Sequence, residues 1–402
     1  MMSFKLTEGQ NQVREFLRWL AREKVRPIAE ESDRNHGYSD EFLTELMHMG
    51  ISGGTALPGE EPVGGDADKP KKGPRQSNRI SLIAVEEMSW GDGSVILNLP
   101  GPGLGGPPVK FMGTPEQQER FLAPFKLKDK PRFGAYGLTE PGAGSDVSAI
   151  SATCRKDGNH WVLNGRKCFI TNGAKADWVV IFATVDRGLG RAGHRAFVVE
   201  KGTPGFSVGK IEKKMGLRAS ETAELVLEDC RVHQDNLLGG EKHYEGKEGF
   251  MGAMKTFDST RPIVAAMAVG IGRGALELAT DYVRENYMLS RPIPRYQQIK
   301  DVLARTARKL DAARLLCWRA AWMADEELPN AKEASMAKVF AAQAAQQATI
   351  DALQVVGSTG LERSTLLEKF FRDIKVYDIF EGTGQVQRIV IAKRIMDTLK
   401  SF

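Results

Sequence analysis

The spacing of hydrophobic residues divides the chain into regions of different predicted structure. From 7 to 50, apolar residues such as Leu17 and Leu20 recur at helical intervals, so this part is predicted to be helical. Glycine, proline and charged residues interrupt the pattern at 52–77, which predicts a long surface loop. Helical spacing then resumes at 80–88.

A dense run of helix-breaking residues follows this helix. Positions 100–108 contain four prolines and four glycines in nine residues. Proline removes a backbone donor and glycine costs about 1 kcal/mol relative to alanine inside a helix. We therefore expect no regular helix over this run.

The middle of the chain has the pattern of short β-strands. The apolar runs 161–163 and 168–170 flank Asn164-Gly165, a strong hairpin signal. Further apolar or alternating runs lie at 178–185, 196–199, 206–211 and 223–227. Closely spaced short strands of this kind predict a small barrel or sandwich.

Helical spacing returns after 250 and continues to the last residues. The sequence Asp258-Ser-Thr-Arg-Pro262 is typical of a helix start, with a capping residue before proline. Five long helical stretches with short connections follow, at 262–288, 298–326, 331–356, 365–377 and 385–400. They predict a helical bundle.

These patterns together predict an α+β multidomain protein. We place an N-terminal α-helical domain at 1–133, a small β-barrel or sandwich domain at 134–245, and an up-down helical bundle domain at 246–402.

Composition narrows the possible classes of function. The 402 residues are 42% hydrophobic and 27% charged, which excludes disorder for most of the chain. The 56 basic and 51 acidic residues are interspersed, so we expect no nucleic-acid binding. No uncharged apolar run of about 18 residues and no signal or transit peptide pattern is present, so we expect no membrane association and a cytoplasmic location. Four cysteines without a CxxC pair and six histidines without metal-ligand spacing predict no metal site.

Two segments of the middle region carry residues suited to binding a ligand. The loop Tyr136–Asp146 combines glycines with hydroxyl and acidic side chains, which suits an anion or the polar edge of a cofactor. Taken alone, such a loop is more often a plain surface turn. At Phe169-Ile170-Thr171 a strand ends with an aromatic residue and a hydroxyl, which suit a flat ring. The alternative is a strand end before an Asn-Gly turn.

Two segments of the C-terminal region are also candidates. Glu381 lies between two apolar helical stretches, where desolvation would raise the pKa of its carboxyl and make it a usable base. The alternative is a helix N-cap acid. The segment Gln354–Gly360 interrupts two helices with glycine, which suggests close approach of the backbone to a ligand or a helix C-cap.

In combination and order, these segments resemble the acyl-CoA dehydrogenase family of flavoproteins, over nearly the whole chain. Gly137–Ala149 fits the first family signature throughout. Gln354–Asp373 fits the second, except that Ser364 stands where an acid or asparagine is usual. The resemblance implies an enzyme that introduces an α,β double bond into an acyl thioester.

The resemblance also implies a mechanism. FAD would lie between the β-domain and the bundle. Glu381 would remove the α-proton, and the β-hydrogen would leave as hydride to flavin N5. The thioester carbonyl would be polarised by the Glu381 backbone N–H and a flavin hydroxyl. Some family branches place the base at the position of Thr260, which cannot act as a base.

Matching positions supply the remaining site residues. The resemblance implies cofactor contacts from the β-domain at Tyr136, Leu138, Thr139, Gly144, Ser145, Phe169, Ile170 and Thr171. It implies further cofactor contacts, in part to a neighbouring subunit, at Gln297, Gln354, Gly357, Ser358, Thr383 and Gln385. It implies substrate contacts at Ser145, Asp258, Arg261, Glu381 and Gly382.

Three departures from the family pattern modify these expectations. Asn286 stands where an FAD-clamping arginine is usual, with Arg284 and Arg291 as possible substitutes. Phe380 replaces the usual tyrosine before the base. The run 100–108 replaces a helix that lines the acyl pocket, so we expect a pocket for a bulky, branched or cyclic acyl group.

The resemblance leaves other functions open. A flavin monooxygenase or oxidase of the same fold would use dioxygen and generally lack the base. A non-catalytic partner subunit of a heteromeric dehydrogenase is a third possibility, to which the missing arginine points. The family further implies a homotetramer or dimer, electron-transfer flavoprotein as acceptor, and acyl-CoA or an acyl-carrier thioester as substrate.

Overall fold

The computed structural model describes residues 5–53, 77–245 and 251–399. Side chains at 251–259, 287, 398 and 399 fall outside this description. The surface loop predicted at 52–77 lies almost entirely outside the described residues, as does the side chain of Asp258.

Helices form the N-terminal part of the fold. They are α1 (Glu8–Leu20), α2 (Ala29–Asn35), α3 (Asp40–His48), α4 (Ser77–Gly91), α5 (Gly106–Met112) and α6 (Pro115–Leu122). Thr7 starts α1 by accepting a hydrogen bond from the Gln10 N–H in a capping box. The predicted stripe of Leu17 and Leu20 is buried in a core shared with α4.

The prediction of no regular helix over the run 100–108 is wrong only for its last three residues, which belong to α5. α5 begins at Gly106 and includes Pro107 in its first turn. The first backbone N–H groups of a helix have no partner within it, so proline there removes nothing that the helix needs. Gly105 packs against β-domain backbone, and a Cβ at that position would lie 2.5 Å from the Ala135 carbonyl oxygen. The glycines therefore provide close packing.

The middle region forms a seven-stranded curled sheet, which confirms the predicted β-domain. Its strands are β1 (Gly134–Gly137), β2 (Thr153–Asp157), β3 (His160–Thr171), β4 (Trp178–Thr184), β5 (His194–Glu200), β6 (Phe206–Ile211) and β7 (Thr222–His233). The order is β1-β4-β2-β3-β7-β6, and β5 also pairs with β4. Alternate residues of β4 enter separate cores, Val179 and Ile181 in one and Val180 and Phe182 in the other.

The hairpin predicted at Asn164-Gly165 is wrong, because β3 passes through this dipeptide without turning. The pairing of β3 with β7 changes register between Leu163 and Gly165, which marks a bulge. The Asn164 side chain closes the bulge by accepting from the Asp229 N–H at 2.8 Å. The β2–β3 turn lies earlier, between the paired residues Asp157 and His160.

The C-terminal part contains α7 (Met251–Glu285), α8 (Gln297–Asp325), α9 (Ala331–Val356), α10 (Leu367–Ile374) and α11 (Gly384–Leu399), with a small hairpin of β8 (Tyr287–Met288) and β9 (Arg291–Pro292). The predicted bundle is confirmed. The helix start predicted at 258–262 is wrong, because α7 begins at Met251 and contains Pro262. The segment Thr260–Glu285 is long and apolar enough to cross a membrane, but 67% of that window is buried, as in the core helix of a bundle.

A cluster of buried charges joins the three regions. Lys369 on α10 donates to Asp92, which follows α4, at 2.5 Å and to Asp373 at 2.6 Å. Asp373 also accepts from the backbone N–H of Leu217, in the segment between β6 and β7. Tyr38 of the N-terminal region donates to Asp92 at 2.5 Å. This junction fixes how the helical and sheet regions meet.

Candidate active site

Glu381 lies in the short connection before α11, with its backbone in the left-handed region at φ 57°. Its carboxylate oxygen Oε2 accepts a hydrogen bond from Thr260 Oγ1 on α7 at 2.7 Å. Thr383, not Glu381, accepts at the start of α11, through its Oγ1 from the Val386 N–H. The alternative that Glu381 is a helix-capping acid is therefore wrong, and its carboxylate remains available for other chemistry.

Burial raises the pKa of the Glu381 carboxyl, as the sequence predicted. The hydrogen bond from Thr260 and the positive charges of Arg261 and Lys338 act in the opposite direction. Burial and the negative charge of Glu381 raise the pKa of Tyr136 on β1. The Glu381 carboxylate is therefore close enough to β1 to affect Tyr136, and its raised pKa suits a base.

The turn that carries Glu381 is held from two helices. Gln387 on α11 donates from Nε2 to the carbonyl oxygens of Glu381 and Gly382, at 3.1 and 2.9 Å. Lys338 on α9 donates from Nζ to the Gly382 carbonyl at 2.8 Å. Positive φ at Glu381 costs roughly 1–2 kcal/mol for an L-residue. These hydrogen bonds stabilise that conformation and orient the carboxylate.

The residues that support Glu381 are not evident from the sequence. Thr260 stands out there only as a position that cannot act as a base, and no motif contains Lys338 or indicates a role for Gln387. The sequence does mark Lys338 as unusual, because it is the single lysine within the alanine-rich stretch 334–345, whose positions are largely buried. Its partner lies 44 residues away, which no local pattern reveals.

The loop after β1 is fixed against β3 by a buried ion pair. Lys167 Nζ lies 2.6 Å from Glu140 Oε1 and 3.2 Å from the Leu138 carbonyl oxygen. The Thr139 carbonyl accepts from the Cys168 N–H at 2.9 Å. The loop is thus an anchored structure and not a plain surface turn, and its exposed tip contains Gly144 and Ser145.

Phe169 is turned out of the sheet. The β3–β7 pairing changes register between Lys167 and Ile170, and Phe169 takes φ 56°. Its side chain is 63% exposed, whereas Ile170 is buried in the sheet core. Thr171 ends the strand, and its side chain is partly buried. An exposed aromatic ring beside the Thr139 loop and a nearby hydroxyl fit a flat polar ring such as a flavin.

One group of the other predicted site residues lies near Glu381. Arg261 is buried and close enough to Glu381 to lower its pKa. Gly382, Thr383 and Gln385 follow Glu381, and Gln385 is exposed at the start of α11.

The remaining predicted cofactor contacts lie on exposed helix ends. Gln297 begins α8 and donates to Asp301 at 2.8 Å. Gln354, Gly357 and Ser358 are exposed at the end of α9. The described contacts do not bring this group to Glu381 within one chain. The prediction that it meets a neighbouring subunit's cofactor stays a prediction.

Asn286, which stands where the family usually has an FAD-clamping arginine, makes a local hydrogen bond. Asn286 donates from Nδ2 to the Tyr282 carbonyl at 2.8 Å, at the end of α7. Arg284, in the last turn of α7, and Arg291, in β9 of the small hairpin, are both exposed.

Comparison with known proteins identifies the family. The chain matches the N-terminal, middle and C-terminal acyl-CoA dehydrogenase domains over residues 7–126, 135–230 and 247–396. It is 38% identical over 401 residues to the mitochondrial short-chain specific acyl-CoA dehydrogenase of Bos taurus, covering 99% of this chain and 93% of that protein. The chain belongs to the acyl-CoA dehydrogenase family, whose members are FAD-dependent flavoproteins and oxidoreductases acting on acyl-CoA.

Solved structures agree with this family. Butyryl-CoA dehydrogenase from Megasphaera elsdenii superimposes with a TM-score of 0.88 at 35% identity, covering 98% of this chain and all of that one. A chain described under the electron transferring flavoprotein of Acidaminococcus fermentans superimposes with a TM-score of 0.87 at 37% identity, covering 98% of this chain and 99% of that chain.

Proposed function

We propose that this protein is an FAD-dependent dehydrogenase of acyl-CoA thioesters with Glu381 as the base. The observation that carries the proposal is the Glu381 carboxylate, which is desolvated, held by Thr260 at 2.7 Å and close enough to Tyr136 to raise the pKa of its phenol. A solvated glutamate would be too weak a base, and an unheld one would be poorly oriented.

The chain's own residues divide the work of the reaction. Burial makes Glu381 a stronger base, so it can take the α-proton of the thioester. In this proposal the backbone N–H of Glu381 polarises the thioester carbonyl, which stabilises the enolate in the transition state. Ser145, Asp258, Arg261 and Gly382 are the proposed substrate contacts.

The sheet and the bundle would hold the cofactor between them. Phe169 would cover one face of the flavin, and Thr139 and Thr171 would bond its edge. Bound FAD would accept the β-hydrogen of the substrate as hydride. Gln297, Gln354 and Ser358 would contact the FAD of a neighbouring subunit, which requires a dimer or tetramer.

For the substrate we propose a short-chain acyl-CoA, as the names of the bovine and Megasphaera relatives suggest. A bulky or cyclic acyl group, expected from the run at 100–108, stays the alternative, because α5 includes only the last three residues of that run. Electron-transfer flavoprotein is the proposed acceptor, supported by the Acidaminococcus neighbour. A cytoplasmic location remains part of the proposal.

The test is the visible spectrum of the purified holoprotein, followed anaerobically as acyl-CoA thioesters of different length and branching are added. We expect a yellow protein that is bleached by short straight-chain substrates. Glu381→Gln should keep the colour and lose bleaching by a factor of about 100–10,000, the usual contribution of a general base.

Other outcomes would point to the alternative functions. If a branched or cyclic thioester bleaches the flavin fastest, the result would support the wider acyl pocket expected from the sequence. Flavin that no thioester reduces, together with oxygen consumption, would indicate an oxidase or monooxygenase. Flavin that is inert in both assays would indicate a non-catalytic partner subunit.

A further inference from the structure

Lys338 is an unusual residue for its surroundings. Its side chain is completely buried on α9, and Nζ donates to the Gly382 carbonyl oxygen at 2.8 Å. Among the described residues no carboxylate makes a direct ion pair with it. Burying an ammonium group without such a partner is costly, so packing alone does not explain a lysine here.

A neutral donor would be sufficient to hold the turn. Gln387 is also completely buried and already donates to the same Gly382 carbonyl at 2.9 Å. The two side chains therefore share one structural task, and they differ in charge. The feature that Lys338 adds to the site is a positive charge beside Glu381.

The charges around Lys338 come from three parts of the bundle. Asp378 precedes the Glu381 turn, Glu381 lies in it, and Arg261 projects from α7. Burial lowers the pKa of Lys338 to about 8, with the two carboxylates acting against this and Arg261 adding to it. At neutral pH the lysine is therefore mostly protonated, although it is held less firmly in that form than a surface lysine.

We propose that Lys338 is a positioning residue for the base, whose ammonium group holds the Glu381–Gly382 turn and keeps the partly buried Glu381 carboxylate ionised at neutral pH. This inference rests on the proposed dehydrogenase function. Burial makes Glu381 basic, and Lys338 together with Arg261 prevents the carboxylate from being protonated before it can act.

The test compares three variants of the holoenzyme by the pH dependence of kcat/KM. Lys338→Gln retains a donor but removes the charge, Lys338→Arg retains the charge, and Gln387→Met removes the neutral donor to the same carbonyl. We expect Lys338→Gln to move the acid limb upward by about one pH unit, because a neighbouring cation favours the ionised carboxylate. At pH values below the acid limb of both proteins, a shift of one pH unit lowers kcat/KM about tenfold.

The matched variants separate charge from geometry. Lys338→Arg should keep the acid limb near the wild-type position, even if kcat falls. Gln387→Met should lower kcat and leave the acid limb in place. An unchanged acid limb in Lys338→Gln, or an equal shift in Gln387→Met, would overturn the proposal.

A second measurement does not depend on turnover. Infrared difference spectra between each protein and its Glu381→Gln counterpart report the protonated carboxyl of Glu381 as a function of pH. The midpoint should rise in Lys338→Gln, and an unchanged midpoint overturns the inference if the variant is too impaired for kinetics. If no thioester reduces the flavin of the wild-type protein, the proposed function is refuted instead. The two failures are therefore distinguishable.

Discussion

Two buried lysines of the C-terminal helices have opposite environments. Lys369 on α10 contacts Asp92 and Asp373 at 2.5 and 2.6 Å. Burial alone would lower its pKa, but the two carboxylates outweigh burial and raise the pKa above the ordinary value. Lys338 on α9 donates to a carbonyl oxygen and has no carboxylate at such a distance among the described residues, and burial lowers its pKa to about 8.

The difference shows what each lysine contributes. A buried charge that is paired with opposite charges is held in one position. Removing one member of such a pair leaves the remaining charge buried and uncompensated. Lys369 therefore belongs to the junction between regions, where a fixed geometry is needed. Lys338 is incompletely compensated and lies next to an ionisable base, where its charge affects chemistry.

The strongest test of this contrast is the stability of Lys369→Met. The substitution leaves Asp92 and Asp373 facing each other in the core, so we expect the free energy of unfolding to fall by about 3–5 kcal/mol. Urea denaturation of the holoprotein, followed by circular dichroism and flavin fluorescence, measures the loss.

Lys338→Met is the matched control for that loss. It removes one hydrogen bond, worth about 1 kcal/mol, and also removes the cost of burying an ammonium group. We expect a change in unfolding free energy well below that of Lys369→Met. Equal losses in the two variants would mean that both lysines are simply structural.

A smaller effect is expected at the other support of the base. Thr260 donates to the Glu381 carboxylate, which favours its ionised form and lowers its pKa. Thr260→Val removes that donor and should move the acid limb of kcat/KM upward by up to about one pH unit. Thr260→Ser keeps the hydroxyl and should restore the wild-type profile; a Ser variant that behaves like Val would contradict this role.

The smallest effect is a gain in stability on removing the base. Because the folded-state pKa of Glu381 is raised, ionisation destabilises the fold as pH rises from the ordinary glutamate range through the folded-state value. Glutamine avoids the cost of holding a charge at this position, so Glu381→Gln should have a higher Tm than wild type wherever the wild-type carboxylate is ionised. The two proteins should converge at acidic pH, and a lower Tm for the variant at pH 7 would show that the carboxylate is fully compensated.

The sequence predicted the architecture because helical and alternating patterns are local properties. It also predicted Glu381 as a desolvated carboxylate, since apolar helical stretches flank it on both sides. It failed at Asn164-Gly165, where the long pairing of β3 with β7 converts a turn signal into a bulge. It failed at Pro262, which lies inside α7 despite the capping residues before it.

The partners of the base were beyond local prediction for a different reason. Thr260 and Glu381 are 121 residues apart, and their hydrogen bond exists only once the helices have packed. Lys338 could be identified as an unusual lysine in an alanine-rich helix, but its carbonyl partner could not. Long-range contacts between polar groups leave no periodic pattern in the sequence.

The bulge that turns Phe169 outward has a consequence for how this protein could diversify. Because the residue lies outside the ladder of β3 and is 63% exposed, its side chain is not needed for the packing of the sheet. A lineage could exchange one aromatic ring for another there and alter the surface offered to a ligand without rebuilding the core. At this position, ligand recognition can therefore change in evolution while the fold is maintained.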